Sequence, residues 1–142
     1  MKSAPRRVAA VEVRRVVAAL MVRDDKLLIC QRTKHQTMPL KWEFPGGKIE
    51  SGERAREALV RELEEELGIA ASIGDEVARV RHRYRRGHCV QLQFFLVSEF
   101  EGEIENRIFR DVRWVRRDEL VDYDFLEADR GLVKDLAAGK VL

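Results

Sequence analysis

The stretch that most restricts this chain runs from Gly46 to Ile69 and reads GGKIESGERAREALVRELEEELGI. Ala55, Leu59, Leu63 and Leu67 recur at the spacing that places side chains on one face of an α-helix, so the segment is predicted to bury that face. Glu62, Glu65 and Glu66 also fall together, three and four residues apart, on an edge of the same helix. Like charges so placed repel by roughly 0.2–0.5 kcal/mol per exposed pair. A hard divalent cation among the carboxylates offsets that repulsion, because Mg²⁺ prefers oxygen ligands and bridges to phosphate oxygens. The expectation is a helix that is apolar on one side and offers acid from the other. Ahead of it, Gly46, Gly47 and Gly52 are predicted to form a loop whose backbone can approach a ligand closely. Gly68 stands where a left-handed residue commonly ends a helix.

The flanking chain supplies strands. Val16 to Val22 is a continuous run of seven apolar residues, the pattern of a strand buried on both faces. Asp24-Asp25 marks a turn, and Lys26 to Gln31 returns as the second strand of a hairpin. Arg32 to Lys41 is polar, contains Pro39 and reads as a loop, with Arg32 at the strand end where cations often meet ligands. Trp42 and Phe44 flank Glu43 in a short extended segment closed by Pro45, and both aromatics are expected in the core. Glu53 lies near the helix start, where the helix dipole favours an acid.

Val77 to Tyr84 and Cys89 to Val97 read as a second hairpin around a turn at Arg85–His88, with Leu92, Phe94 and Leu96 on one face. Arg79, Arg81, Arg83 and Arg85 share a face of its first strand. They form either a solvated surface or a site for a polyanion. Glu99 to Asp111 is an acidic connection and Val112 to Val115 a short strand. Asp118-Glu119-Leu120 reads as a helical turn. Glu127 to Ala138 carries a helical pattern, with Leu132, Val133 and Leu136 inward, Asp129 near its start and Gly139 at its C-cap. Two hairpins, one helix between them and one at the end predict an α+β fold arranged as an α/β/α sandwich.

At 142 residues the chain is long enough for one core, placed here at 14–142 behind a loose basic segment, 1–13. The net charge of +2 is too small to argue for nucleic acid. Cys30 and Cys89 sit in apolar stretches and read as buried free thiols. His35, His82 and His88 have no ligand spacing. No apolar run approaches the ~18 residues of a membrane span, and the N-terminus lacks a signal core. A cytoplasmic protein is expected.

The spacing around the helix carries a further reading. Gly47, five residues, Glu53, seven residues, Arg61-Glu62, Leu63, one residue, Glu65-Glu66, one residue, Gly68 and Ile69 together resemble the signature of the Nudix hydrolase family. The lead-in Trp42-Glu43-Phe44-Pro45-Gly46-Gly47 resembles the MutT-type branch, and a looser likeness extends from Val16 to Leu136. The resemblance implies the Nudix fold, a mixed β-sheet between helices. It implies Mg²⁺, with Mn²⁺ as a substitute, held by Glu62, Glu65, Glu66 and the Gly46 carbonyl. Glu62 would be the base, with Arg61 orienting the acids and Glu53 completing the catalytic group. Arg32, Phe44 and Asp129 would contact substrate, Asp129 by reading the nucleobase.

One position departs from the family pattern. The branch often supplies a further Glu from the loop before the last strand, and Ile108 aligns there; Glu103, Glu105 and Asp111 are the alternatives. The substrate implied is a nucleoside triphosphate, cut to a monophosphate and pyrophosphate, with oxidised purines such as 8-oxo-dGTP as the leading class. A (d)CTP or general NTP pyrophosphohydrolase is the second reading. A nucleic-acid-binding module using the Arg79–Arg85 row is a third, against which the intact acid set argues. The expected assembly is a monomer or homodimer with no membrane partner.

Overall fold

The computed structural model describes residues 13–84 and 87–142. The loose segment predicted for 1–13 lies outside them except for Val13, which already belongs to the first strand. Strand β1 (Val13–Arg23) turns at Asp24 and Asp25, both with positive φ (51° and 60°), into β2 (Lys26–Gln31). Such left-handed pairs match the twist of a two-residue hairpin and suit Asp. The apolar run of β1 behaves as its pattern demands. Ala18 and Leu20 face one core and Val17, Ala19 and Met21 the other, all buried.

β3 (Trp42–Glu43) pairs with β2, and β4 (Gly46–Lys48) pairs with β1, opposite Val16–Ala18. The two glycines expected in a loop are therefore in a strand. A Cβ on Gly46 would lie 2.0 Å from the Val17 carbonyl oxygen, so the close approach of β4 to β1 requires glycine there. Helix α1 (Ala55–Leu67) follows, with Leu59, Leu63 and Leu67 fully buried. Each such side chain contributes roughly 1.5–3 kcal/mol by leaving water. Gly68 closes the helix at φ 68°, its N–H donating to the Glu64 carbonyl. Glu53 precedes the helix by two residues rather than sitting within it.

The second hairpin is β6 (Glu76–Arg83) with β7 (Cys89–Val97). β7 lies parallel to β1, and β9 (Asp111–Arg116) lies antiparallel to β2. The result is a mixed sheet ordered β3-β2-β1-β7-β6, with β4 and β9 joined to β1 and β2. Two three-residue strands, β5 (Ala70–Ser72) and β8 (Glu99–Glu101), form a separate ribbon, so the stretch read as a plain acidic connection begins as a strand. The C-terminal helix is shorter than its pattern. Glu127–Asp129 is a 3₁₀ turn, α2 is Arg130–Ala137, and Ala138 is the cap ahead of Gly139.

Helix α1 and the small ribbon cover one face of the sheet, and α2 with the 3₁₀ turns Arg117–Asp122 and Glu127–Asp129 covers the other. The α+β sandwich is thus the observed fold. No helix among the described residues is long and apolar enough to cross a membrane.

Candidate active site

The acids of α1 divide between two environments. Glu65 is exposed, Glu62 half-buried, and Glu66 only 6% exposed, on the buried side of the helix rather than its solvent edge. Arg61 runs between them. Its Nε and Nη2 donate to Glu53 at 2.7 and 2.9 Å, its Nη1 to Glu62 at 2.9 Å and Glu65 at 3.3 Å, and its Nη2 also to the Lys48 carbonyl. This fork needs the planar, multi-donor guanidinium. Its bonds to Glu53 hold that carboxyl down at about 2. Glu62 is pushed up by burial, against the pull of Arg61.

Glu66 is the most perturbed of the set. Burial, then the charges of Glu62 and Glu43, raise its pKa to about 9, and the Gly46 N–H donating to Oε1 at 3.0 Å only partly compensates. An anion here lacks a nearby cation, which is the situation a bound metal or a proton resolves. The Gly46 backbone fits the same need. Ala19 N–H donates to the Pro45 carbonyl and Ile49 N–H to the Arg15 carbonyl. In the alternating antiparallel ladder this turns the Gly46 N–H and C=O away from β1 and toward α1. Donor chemistry of Glu62, Glu65, Glu66 and the Gly46 carbonyl, all oxygen, therefore suits a hard cation. Among the described residues no three acids are yet gathered into a metal-binding cluster.

Gly47 sits directly over Glu62. A Cβ at Gly47 would fall 2.4 Å from the Glu62 Cδ, so the acid's position depends on a bare backbone opposite it.

Beside the acid edge opens a cavity of about 320 Å³, bounded by β1, β4, the loop after β2, the loop before β9 and the 3₁₀ turn at Asp129. Its size is at the lower end for small-molecule sites. Arg32, Phe44 and Asp129 all line it, as does Glu66. Phe44 is buried against Phe125 and Phe94, with ring centroids 5.2 and 6.2 Å away, so it forms the wall through packing. Arg32 donates to the Thr37 carbonyl (2.8 Å), Thr37 Oγ1 (3.1 Å) and Glu43 Oε2 (2.8 Å), three of its five N–H groups.

Asp129 is 3% exposed, makes no capping bond to its helix, and is raised to about 8 by burial and then by Glu43. Burial disfavours its charged form, which weakens any compensation of the helix dipole by this carboxyl.

Glu43 is a site residue that the sequence reading passed over. It lines the cavity, is raised by burial against the pull of Arg32, and pushes up both Glu66 and Asp129. The available signal was strand alternation: Trp42 and Phe44 face the core, so Glu43 must face elsewhere. Ile108 also lines the cavity, whereas Glu103, Glu105 and Asp111 do not. Glu105 pairs with Arg107 and Asp111 with Arg113. In the arginine row, Arg79 is held by Glu76 in a two-point ion pair, Arg81 and Arg83 are exposed, and Arg85 lies outside the described residues.

The model of the NUDIX domain matches residues 12–136, most of the chain. The chain belongs to the Nudix hydrolase family.

Two relatives show how the family is represented near this sequence. A CTP pyrophosphohydrolase of Escherichia coli is 38% identical over 123 residues, covering 87% of this chain and 90% of its own. An 8-oxo-dGTP diphosphatase of Haemophilus influenzae is 34% identical over 122 residues, covering 84% and 89%. The crystal structure of a MutT NUDIX hydrolase from Burkholderia pseudomallei superposes with a TM-score of 0.76 at 27% identity, over 87% of this Nudix chain and 97% of that one.

Proposed function

We propose that this Nudix hydrolase is a Mg²⁺-dependent nucleoside triphosphate pyrophosphohydrolase that releases a nucleoside monophosphate and pyrophosphate, with oxidised purines such as 8-oxo-dGTP as its preferred class. The observation that carries the reading is the buried, proton-retaining carboxyl of Asp129 in a cavity beside the acid edge. A neutral carboxyl offers one O–H donor and one C=O acceptor. The edge of 8-oxoguanine that sets N7–H beside O6 is its complement, and ordinary guanine has no proton at N7.

In this reading water hydrolyses the α–β phosphoanhydride: its oxygen bonds to one of the two phosphorus atoms, the bridging P–O bond breaks, and the monophosphate and pyrophosphate separate. Mg²⁺ held by Glu62, Glu65, Glu66 and the Gly46 carbonyl, with Mn²⁺ as a substitute, would neutralise the polyphosphate and make the attacking water more acidic. Glu62 takes the water proton, its burial raising its proton affinity and Arg61 fixing its orientation. Glu53 stays ionised and anchors Arg61. Arg32 braces Glu43 and the loop beside the base.

A second reading, a (d)CTP pyrophosphohydrolase, is favoured by the same carboxyl. Cytosine sets an N4 amino donor beside the N3 acceptor, which a neutral Asp129 also complements. The relatives above carry both names. Competing hydrolysis of a mixed pool of 8-oxo-dGTP, dGTP, CTP and dCTP with Mg²⁺ separates them. The oxidised-purine reading requires the highest kcat/KM for 8-oxo-dGTP, and a CTP or dCTP advantage replaces it with the second.

A further inference from the structure

Seven large apolar side chains are exposed on the described surface, and two of them, Met38 at 40% and Ile108 at 45%, line the same cavity from two separate loops. Scattered apolar residues on a surface need no explanation, but two at the edge of one concave site do. Both positions have features that packing does not supply. Met38 has a left-handed backbone, φ 48°, although it is neither Gly, Asn nor Asp. The loop that holds it there is fastened by the Arg32 guanidinium, which grips Thr37 at two atoms. Strained backbone that is actively held is a mark of functional sites.

Ile108 stands next to Phe109, which is buried in the core that α1 covers, and Asn106 ties this bend by bonding to the Phe109 N–H and carbonyl. The bend is thus fixed while the Ile108 side chain remains in solvent.

The remaining wall divides by chemistry. Glu66, Gly46 and Gly47 lie on the side of the acids, and Glu43 and Asp129 are among the polar residues of the lining, with Arg32 and Tyr84. A cavity of about 320 Å³ is of the size that takes a small ligand portion such as a base with its sugar. We infer that Met38 and Ile108 form an apolar rim that closes on the base and sugar of the bound nucleotide, so that these two residues set affinity for the nucleoside portion. The inference rests on the nucleotide reading above and adds to it two residues which touch no phosphate. Each is exposed in the free protein, so its apolar surface is removed from water only when ligand is bound.

The test uses Met38→Ser, Ile108→Ser, the double variant, and Val121→Ser as a control, since Val121 is 57% exposed and away from the cavity. Binding of 8-oxo-dGMP and CMP is measured by calorimetry, and inhibition by inorganic pyrophosphate is measured alongside. Each rim variant is expected to weaken monophosphate binding roughly three- to tenfold, and the double variant by about the product, from the loss of apolar burial. Pyrophosphate inhibition and the melting temperature should not move, and the control should match the parent protein.

Unchanged monophosphate binding in the double variant overturns the rim. So does an equal loss of pyrophosphate inhibition, which would place the effect at the phosphates. If the parent protein binds the monophosphates and loses them in the variants but hydrolyses no triphosphate, the rim stands and the proposed reaction fails.

Discussion

Arg61 and Glu53 meet through two hydrogen bonds, Nε to Oε2 at 2.7 Å and Nη2 to Oε1 at 2.9 Å, eight residues apart and across the start of α1. The same guanidinium then reaches Glu62 and Glu65. Arg61 is therefore the common partner that keeps three carboxylates at fixed positions. Arg61→Lys keeps the charge and loses the fork. It should lower kcat by roughly 10- to 100-fold, since misplacement of a catalytic base by about 1 Å has that effect. Partly exposed ion pairs contribute at most about 1 kcal/mol, so the melting temperature should fall by only a few degrees. Initial rates and a thermal melt on one preparation check both.

Glu66→Gln should separate stability from activity. The wild-type carboxyl is buried beside other acids and holds its proton up to about pH 9. A neutral amide removes that burden, so the variant should melt at a higher temperature than the parent in EDTA at pH 8. With Mg²⁺ and substrate, kcat should drop by at least ~10². Near-full turnover would remove Glu66 from the site.

Asp129 gives a pH dependence with a definite sign. Its pKa is about 8 when folded, against an ordinary value of 3.8. Between those values the folded state binds the proton and the unfolded state does not. Stability from this group is present below pH 4 and is lost as pH rises toward 8. Asp129→Asn never ionises. Its stability relative to the parent should grow from near zero at pH 4 to on the order of a few kcal/mol at pH 8. Denaturant unfolding of both proteins at four pH values measures the trend, and parallel curves would show that Asp129 is ionised in the fold.

The paired glycines of β4 should fail in different ways. Gly47→Ala places a methyl 2.4 Å from the Glu62 carboxyl carbon, and a side chain can turn aside. Gly46→Ala meets the Val17 carbonyl at 2.0 Å, and paired backbone cannot. The first should retain its fold and lose most of its kcat. The second should lose stability by roughly 2–4 kcal/mol, from strain and overpacking. Circular dichroism melts and turnover numbers distinguish them.

The parts of the fold that were legible in the residues are those with a strong period. The α1 face, the Gly68 cap, the doubly buried β1 and the Asp24-Asp25 turn each follow from local pattern. β4 was not legible, because Gly46 and Gly47 have no side chains to alternate, and only the partner β1 makes them a strand. Ribbon strands of three residues, β5 and β8, are too short for a period to register. At the site, the α1 acids were readable from spacing, whereas the burial of Glu66 was not. Its raised pKa depends also on the charge of Glu43, which is far away in sequence. Arg32 was legible as a cation at a strand end, but its partners, Thr37 and Glu43, are fixed by how the loop folds back.

The acid edge and the cavity beside it come from different parts of the chain and meet at β1, at β4 and at the loop before β9, where the Arg107 N–H donates to the Glu66 carbonyl. The acids stand on one rigid helix, whereas Met38, Ile108 and Asp129 come from two loops and a short turn. On the proposed function, the loop of Met38 can therefore be refitted to another nucleobase without disturbing the helix, whereas the loop of Ile108 is hydrogen-bonded to the last turns of α1. On the same proposal, two such proteins with the same acid helix should share a reaction and still differ in diet.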